Sequence, residues 1–210
     1  MKIDFVSDVA CPWCAVGLNS LERALERIGD GVDIELHVRP FELNPQMAPE
    51  GEDAAEHLAR KYGLTPQQLE RNRATIRQRG ADVGFEFGDR TRVWNTFDAH
   101  RLLHWAGLVG RQRELKHALL RSYHGEGENP GAHDVLLKIA RDVGLDVEQA
   151  REVLESGRYA AEVRAEERHW QDLGIHSVPA VIVDDRHLIQ GGQAPEVFER
   201  ALRRLADAPG

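Results

Sequence analysis

Cysteine is rare in this chain: its 210 residues contain only Cys11 and Cys14. So small a number excludes the framework of several disulfide bonds that stabilises many small secreted domains. It also disfavours a structural zinc site, which usually needs four ligands, because the chain has no cysteine beyond these two. The two cysteines therefore need an explanation of their own.

Long apolar runs are absent as well, and basic residues are outnumbered. No segment approaches the roughly 18 consecutive apolar residues of a membrane-spanning helix, and 35 acidic against 27 basic residues give a net charge of −8. That charge argues against nucleic acid as a partner. Residues 1–8 pass directly into a strand pattern and lack the basic and apolar regions of a secretory signal. We therefore expect a cytoplasmic protein with neither a membrane nor a nucleic acid among its partners.

The two cysteines form a C-x-x-C motif, Cys11-Pro12-Trp13-Cys14, between a short apolar strand and a helical pattern. A cysteine at the start of a helix directs its sulfur toward unpaired backbone N–H groups and the positive end of the helix dipole, and both favour the reactive thiolate. Pro12 suits the first helical turn. Cys14, one turn later, is placed to close a disulfide with Cys11. The motif therefore predicts a dithiol–disulfide redox centre with Cys11 and Cys14 as its catalytic residues.

Three other interpretations of the motif remain. Inert buried cysteines would need no particular spacing, and a structural zinc site would need further ligands. A purely structural disulfide would close so short a loop that it would add little stability. Redox chemistry accounts for both the spacing and the position, because ligands and chemistry gather at the carboxyl ends of strands in open α/β sheets.

The predicted elements run β-α-β, then a long helical stretch, then β-β-α. Strand patterns at 2–8 and 32–41 flank a helix from Cys11 to about Ile28, and a hairpin at 180–190 precedes a last helix. Residues 42–51 are predicted to be a linker. We therefore expect one α/β fold in three segments: an N-terminal part (1–45), a large all-helical insertion (46–165) and a C-terminal part (166–210).

Four stretches together resemble the DsbA-like thioredoxin superfamily, in particular its cytoplasmic FrnE-type branch. Besides the C-x-x-C motif, they are residues 95–102 (NTFDAHRL), 177–180 (SVPA) and 191–198 (GGQAPEVF), and their order and spacing match over essentially the whole chain. The resemblance implies a thioredoxin fold and a thiol–disulfide oxidoreductase. Its substrates would be protein or low-molecular-weight disulfides, and it would need no bound cofactor or metal.

The resemblance also implies that Pro179 forms a cis peptide bond and faces the cysteines, although a trans bond is the default for X-Pro from sequence alone. Val178 would then offer its backbone N–H and C=O to an extended substrate. Pro12 and Trp13 would complete the substrate-binding surface. Within the redox pair, we expect Cys11 to be exposed and to attack first, and Cys14 to be more buried.

The charges around the motif are few. No Lys or Arg lies between Ser7 and Val16, so the helix terminus and the backbone N–H groups would have to lower the pKa of Cys11. Asp8 would oppose the thiolate if it is close in space. His100 and His176 are candidates for assisting proton transfer, but a surface, interface or packing role accounts better for each of them.

Two alternatives of other classes stay open. The superfamily includes glutathione-dependent transferases and 2-hydroxychromene-2-carboxylate isomerases, in which a serine commonly replaces the first cysteine. The presence of Cys11 favours the oxidoreductase. The alternative is a glutathione-dependent isomerase or transferase on a small aromatic or polyketide-like substrate, with glutathione as co-substrate. A redox-sensing binding protein is the third interpretation.

Overall fold

The computed structural model describes residues 1–207, and its main feature is a four-stranded sheet with strand order β2-β1-β5-β6. In chain order the elements are β1 (Lys2–Ser7), α1 (Pro12–Ile28), β2 (Glu35–Pro40), β3 (Glu52–Asp53), α2 (Ala54–Tyr62), α3 (Pro66–Asp82), β4 (Arg92–Val93), α4 (Phe97–Leu108), α5 (Gln112–Leu120), α6 (His133–Asp142), α7 (Val147–Ser156), α8 (Ala160–Asp172), β5 (Ala180–Val183), β6 (His187–Gln190) and α9 (Pro195–Ala206).

β1 is the strand on which the sheet is built. It pairs in parallel with β2 and antiparallel with β5, with Phe5 opposite both Val38 and Val181. β6 then pairs antiparallel with β5, as the predicted hairpin requires. Every residue of β5 is buried, which explains why it is an uninterrupted apolar run rather than an alternating one. The predicted thioredoxin fold is confirmed.

Helices α1 and α9 pack together against the sheet. Their apolar stripes, which include Leu18, Leu21 and Phe198, share one core cluster with Ile3 and Phe5 of β1. Because burial of each such side chain contributes about 1.5 to 3 kcal/mol, this layer fixes the position of the β1–α1 junction that carries the C-x-x-C motif.

Most of the chain between β2 and β5 is helical and has an apolar core of its own, formed mainly by helices α4 to α7. The expectation of an all-helical insertion is wrong in one respect. The strands β3 and β4 pair antiparallel, with Glu52 opposite Val93. Strands of two residues are too short to show a period of two, so the sequence pattern could not indicate them. The predicted C-terminal segment, 166–210, ends in residues 208–210, which lie outside the described residues.

Helix α3 continues through Gly80 and ends at Asp82. α5 ends in a π-helical turn, Arg121–Gly125, which buries His124. Among residues 1–207, no helix has the length and apolar character needed to cross a membrane.

Candidate active site

The C-x-x-C motif lies at the junction of β1 and α1. Cys11 is the N-cap of α1 with extended backbone angles (φ −89°, ψ 114°), and Pro12 is the first helical residue. The Sγ–H group of Cys11 donates to the backbone oxygen of Val178 at 3.5 Å, and the Val178–Pro179 bond is cis, as the resemblance implies. The structure therefore brings together residues that are 167 positions apart in the sequence.

Both cysteines are buried, so the expectation of an exposed Cys11 is wrong. Cys11 is 4 % exposed and Cys14 is fully buried. The Val178 carbonyl lies against the Cys11 sulfur, and helices α2 and α3 form part of the wall of the cleft into which Cys11 opens. The order of accessibility still agrees with the prediction, because only Cys11 lines that cleft.

The two thiols have opposite pKa shifts. The Sγ–H group of Cys14 donates to the Cys11 sulfur and lowers the pKa of Cys11; burial opposes this, and the backbone N–H groups of Cys14 and Trp13 reinforce it. Burial raises the pKa of Cys14 well above the ordinary value for a thiol, and the adjacent Cys11 sulfur acts in the same direction. Of the two thiols, Cys11 is therefore the one that loses its proton more readily, and Cys14 is the one that keeps it.

Asp8 is a fully buried carboxylate beside the motif. Its Oδ1 accepts hydrogen bonds from the backbone N–H of Ala10 at 3.0 Å and from the Thr96 hydroxyl at 2.8 Å, and it lies 3.3 Å from His100 Nε2. Its Oδ2 accepts from the backbone N–H of Leu43 at 2.7 Å. Burial alone would raise the pKa of Asp8, but the bond and charge of His100 and these backbone donors hold it below the usual range.

The contacts of Asp8 explain a structural role of residues 95–102, a stretch that the sequence analysis identified only through the family resemblance. Thr96 and His100 of that stretch both contact the carboxylate. The charge of Asp8 raises the pKa of Cys11, as expected if the two are close in space. His176, by contrast, is exposed and does not line the cleft beside Cys11.

Replacing Asp8 with Asn is expected to destabilise the protein and to make Cys11 more acidic. The amide cannot accept all of the bonds that the carboxylate accepts, so we expect a loss of about 2 kcal/mol or more in the free energy of unfolding at pH 7. Removing the negative charge should lower the pKa of Cys11. Urea unfolding and the pH dependence of thiolate absorbance measure the two effects, with Asp30→Asn on an exposed turn as the control.

The acid limb of the stability curve provides a second readout for Asp8. A carboxyl group with a lowered pKa stabilises the fold above its unfolded pKa of about 4, and this contribution is lost as the pH falls through the lowered value. D8N should therefore lose less stability than the wild type between about pH 4 and pH 2. Equal acid sensitivity of the two proteins would contradict the assigned role.

Lys116 is a buried lysine that the sequence analysis missed. It lies on α5 with no exposed surface, and its Nζ has no hydrogen-bond partner among residues 1–207. Burial lowers the pKa of Lys116, while the negative charges of Cys14, Asp8 and Cys11 oppose that shift. In return, the lysine charge counteracts part of the rise in the pKa of Cys14. A basic residue distant in sequence therefore acts on the redox pair.

A signal for Lys116 was present in the spacing of α5. Leu119 and Leu120, three and four positions later, are fully buried, so Lys116 lies on the apolar face of the helix rather than on its solvent face. A lysine at such a position is rarely fully buried unless it has a partner or a function. Periodicity alone could not show which part of the molecule α5 covers.

The predicted linker after β2 contains a second buried acid. Glu42 and Glu167 both bind the guanidinium of Arg164. Burial raises the pKa of Glu42 to about 8, and the charges of Glu167 and Asp8 act in the same direction. The charge and hydrogen bond of Arg164 oppose this rise in the pKa of Glu42. The predicted linker, residues 42–51, contains no helix or strand, but Glu42 is buried within it instead of facing solvent.

Cys11 opens into a cleft of about 820 Å³. Pro12, Trp13 and Val178, three of the predicted substrate-binding residues, line this cleft together with Cys11. Pro179 does not line the cleft. Its ring packs against Gly17 of α1, and a Cβ added at Gly17 would lie 2.9 Å from Cγ of that ring. The opposite wall consists of residues from α2 and α3, and the volume is typical of a small-molecule site.

Comparison with known protein families agrees with this geometry. A family described as the DSBA-like thioredoxin domain matches residues 2–203. Among curated proteins, the uncharacterised Bacillus subtilis protein YwbO is 28 % identical over 205 residues, which cover 96 % of each chain.

Solved structures show the same similarity. A probable DsbA oxidoreductase from Streptomyces coelicolor is 33 % identical, with a TM-score of 0.91 over 100 % of this chain and 92 % of that one. A 2-hydroxychromene-2-carboxylate isomerase is 14 % identical, with a TM-score of 0.76 over 98 % and 96 % of the two chains. The cytosolic disulfide reductase DsbM from Pseudomonas aeruginosa, solved with glutathione, is 19 % identical, with a TM-score of 0.67 over 99 % and 100 %. The last two similarities concern the fold alone.

Proposed function

Because the chain belongs to the DSBA-like thioredoxin domain family, we propose that it is a thiol–disulfide oxidoreductase that uses Cys11 and Cys14 as its redox pair. Its substrates are protein or low-molecular-weight disulfides. The observation that carries the proposal is the pair itself, in which a thiol with a lowered pKa faces a cleft beside a buried thiol with a raised pKa.

The proposed reaction proceeds in two exchanges. The Cys11 thiolate attacks one sulfur of the substrate disulfide, so that a mixed disulfide forms and the first substrate thiolate leaves. Cys14 then loses its proton and attacks the Cys11 sulfur, which releases the second substrate thiolate and leaves the Cys11–Cys14 disulfide. Two electrons pass from the protein to the substrate. The reverse sequence oxidises a substrate dithiol.

Several residues support these steps. The carbonyl of Val178 holds the Cys11 sulfur at the edge of the cleft, where an extended substrate would meet the Val178 backbone. Lys116 favours the thiolate of Cys14 in the second exchange, because its positive charge lowers the pKa of that thiol. Asp8 moderates the acidity of Cys11. Pro12 and Trp13 form the adjacent cleft wall.

The proposed compartment is the cytoplasm. Two cysteines joined in one motif leave none for structural disulfide bonds, as is usual where thiols are kept reduced. The fold is also that of a cytosolic disulfide reductase.

One alternative is favoured by a specific observation. The fold is shared with 2-hydroxychromene-2-carboxylate isomerase, and the cleft has the size of a small-molecule site. A glutathione-dependent isomerase or transferase would use that cleft, with Cys11 marking the position of the glutathione sulfur. Cys14 would then have no chemical role.

Equilibration in glutathione buffers of graded redox poise distinguishes the two functions. After quenching with an alkylating agent, mass spectrometry should show one transition between the dithiol and the internal disulfide. A midpoint of about −270 mV would indicate a reductant, and a midpoint of about −120 mV would indicate an oxidant. Protein that carries one glutathione throughout, or no change at any poise, would exclude the oxidoreductase and favour the isomerase.

A further inference from the structure

The α2–α3 hairpin restricts what can reach Cys11. Residues of both helices, among them Leu58, Lys61, Leu69 and Arg73, line the cleft on the side opposite the motif. Cys11 itself is almost completely buried. The volume of the cleft, about 820 Å³, lies within the range of about 300 to 1,000 Å³ that is typical of small-ligand sites, so a low-molecular-weight disulfide fits it.

The cleft is positively charged although the protein is acidic. Four cationic side chains line it, Lys61, Arg73, Arg77 and Arg90, against the carboxylates of Asp53 and Asp89. Asp89 binds Arg77 at 2.6 Å, and Asp53 caps the N-terminus of α2. Within residues 1–207, the other three cations form no ion pair. In a chain with a net charge of −8, three cations without carboxylate partners therefore meet in one cleft.

Arg90 is the cation held most firmly beside the motif. Its Nη1 donates to the backbone oxygen of Ala10, the residue before Cys11, at 3.0 Å and to the Tyr123 hydroxyl at 3.2 Å. The guanidinium also stacks 5.2 Å from the centre of the Tyr123 ring. Its orientation is thus fixed before any substrate enters. Arg73, on α3, makes no hydrogen bond to another described residue and is available to a ligand at the cleft rim.

We propose that this cleft selects low-molecular-weight disulfides that carry carboxylate groups, with Arg73, Lys61 and Arg90 as the anion-binding residues. The proposal rests on the proposed function and narrows its substrate class. Carboxylates of the substrate bind the cations while the apolar residues of α2 and α3 cover its carbon chain. The disulfide then lies at Cys11, and both carboxylate-bearing halves leave as thiolates in the two exchanges described above.

The test compares disulfides of different charge. The dithiol form of the full chain is mixed with oxidised glutathione (anionic), bis(2-hydroxyethyl) disulfide (neutral) or cystamine (cationic), and oxidation of the pair is followed by quenching and mass spectrometry. Each rate constant is divided by that of dithiothreitol with the same disulfide. Arg73→Gln and Arg73→Glu are the test variants. Arg71→Gln is the matched control, because Arg71 is exposed on the same helix but does not line the cleft.

We expect oxidised glutathione to react fastest and R73Q to lower the anionic-to-neutral rate ratio about three- to ten-fold, with a larger loss in R73E. Raising the ionic strength should lower the same ratio in the wild type, and R71Q should behave as the wild type. The proposal is overturned if R73Q and R71Q are indistinguishable, or if the neutral disulfide or cystamine reacts faster than oxidised glutathione.

A binding measurement separates this proposal from the proposed function. S-methylglutathione carries the same carboxylates but cannot be oxidised, so calorimetry tests the anion site without redox chemistry. Weaker binding to R73Q than to R71Q supports the site even if none of the disulfides oxidises the pair, an outcome that would exclude the oxidoreductase. Equal binding to the two variants would overturn the site even in an active oxidoreductase.

Discussion

Serine in place of Cys11 is expected to abolish disulfide reduction, with a loss of at least about 10³-fold, because a hydroxyl at this position forms no thiolate and cannot undergo disulfide exchange. Cys14→Ser should behave differently. Its Cys11 still attacks the substrate, but the second exchange has no nucleophile, so the mixed disulfide accumulates. Mass spectrometry of the alkylated proteins distinguishes the two variants by the mass of the retained substrate half.

The hydrogen bond between the two cysteines adds a readout that simple loss of activity does not give. Since the Cys14 Sγ–H group lowers the pKa of Cys11, Cys14→Ala should raise that pKa, whereas Cys14→Ser keeps a donor and should raise it less. Thiolate absorbance against pH measures both values. Turnover by the C11S variant at the wild-type rate would exclude the mechanism, and the same Cys11 pKa in all three proteins would exclude the hydrogen bond as its cause.

Replacing Lys116 with Met is expected to stabilise the protein and to slow the second exchange. The lysine Nζ is buried without a hydrogen-bond partner in the described part of the chain, so an apolar side chain of similar length removes a desolvation penalty. Replacement of buried charges by apolar groups has raised stability by about 1 to 4 kcal/mol in comparable cases. The same change removes the charge that lowers the pKa of Cys14.

The pH dependence of the free energy of unfolding tests the expected gain in stability of K116M. Burial lowers the pKa of Lys116 in the folded protein. Between that lowered pKa and a pH of about 10.5, the unfolded chain therefore binds more protons than the folded chain does. Stability therefore rises with pH across this range in the wild type. K116M should lack that rise and should be the more stable protein at pH 7. Urea unfolding at several pH values measures both, with Lys138→Met on an exposed part of α6 as the control.

The rate of the second exchange distinguishes an electrostatic role of Lys116 from a role in packing alone. Each unit by which the pKa of Cys14 rises lowers its thiolate fraction about ten-fold at neutral pH, so K116M should accumulate the mixed disulfide with oxidised glutathione while the first exchange proceeds normally. Quenched-flow mass spectrometry detects that intermediate. If K116M is less stable than the wild type, or releases the second thiolate at the wild-type rate, the assignment is wrong.

The sequence was most informative where a pattern is local. The C-x-x-C motif, the Pro at the first helical position of α1 and the hairpin of β5 and β6 depend on neighbouring residues, and the structure places each of them as expected. The resemblance added the fold and the cis bond at Pro179. By contrast, the accessibility of Cys11 depends on Val178 and on helices that follow 40 or more residues later, which no local pattern describes.

The charges of the site were the least predictable feature. Asp8 was recognised only because it precedes the motif, whereas Lys116, Glu42 and Arg90 reach the site from three different parts of the chain. The sequence does not show that a charged residue is buried unless that residue lies on the apolar face of a helix, as Lys116 does. The pKa of each group depends on neighbours that only the folded chain supplies.

The position of β1 in the sheet has a consequence for the way the protein is made. β1 and β2 are synthesised well before β5, the other neighbour of β1, because most of the helices lie between them in the sequence. Contacts between such distant segments form late, because the loop between them must first be closed. Until Val178 and β5 have been synthesised, the nascent chain carries two thiols without the carbonyl and the strand that cover them. The contact of Val178 with Cys11 can therefore form only after the helices between β2 and β5 have been synthesised.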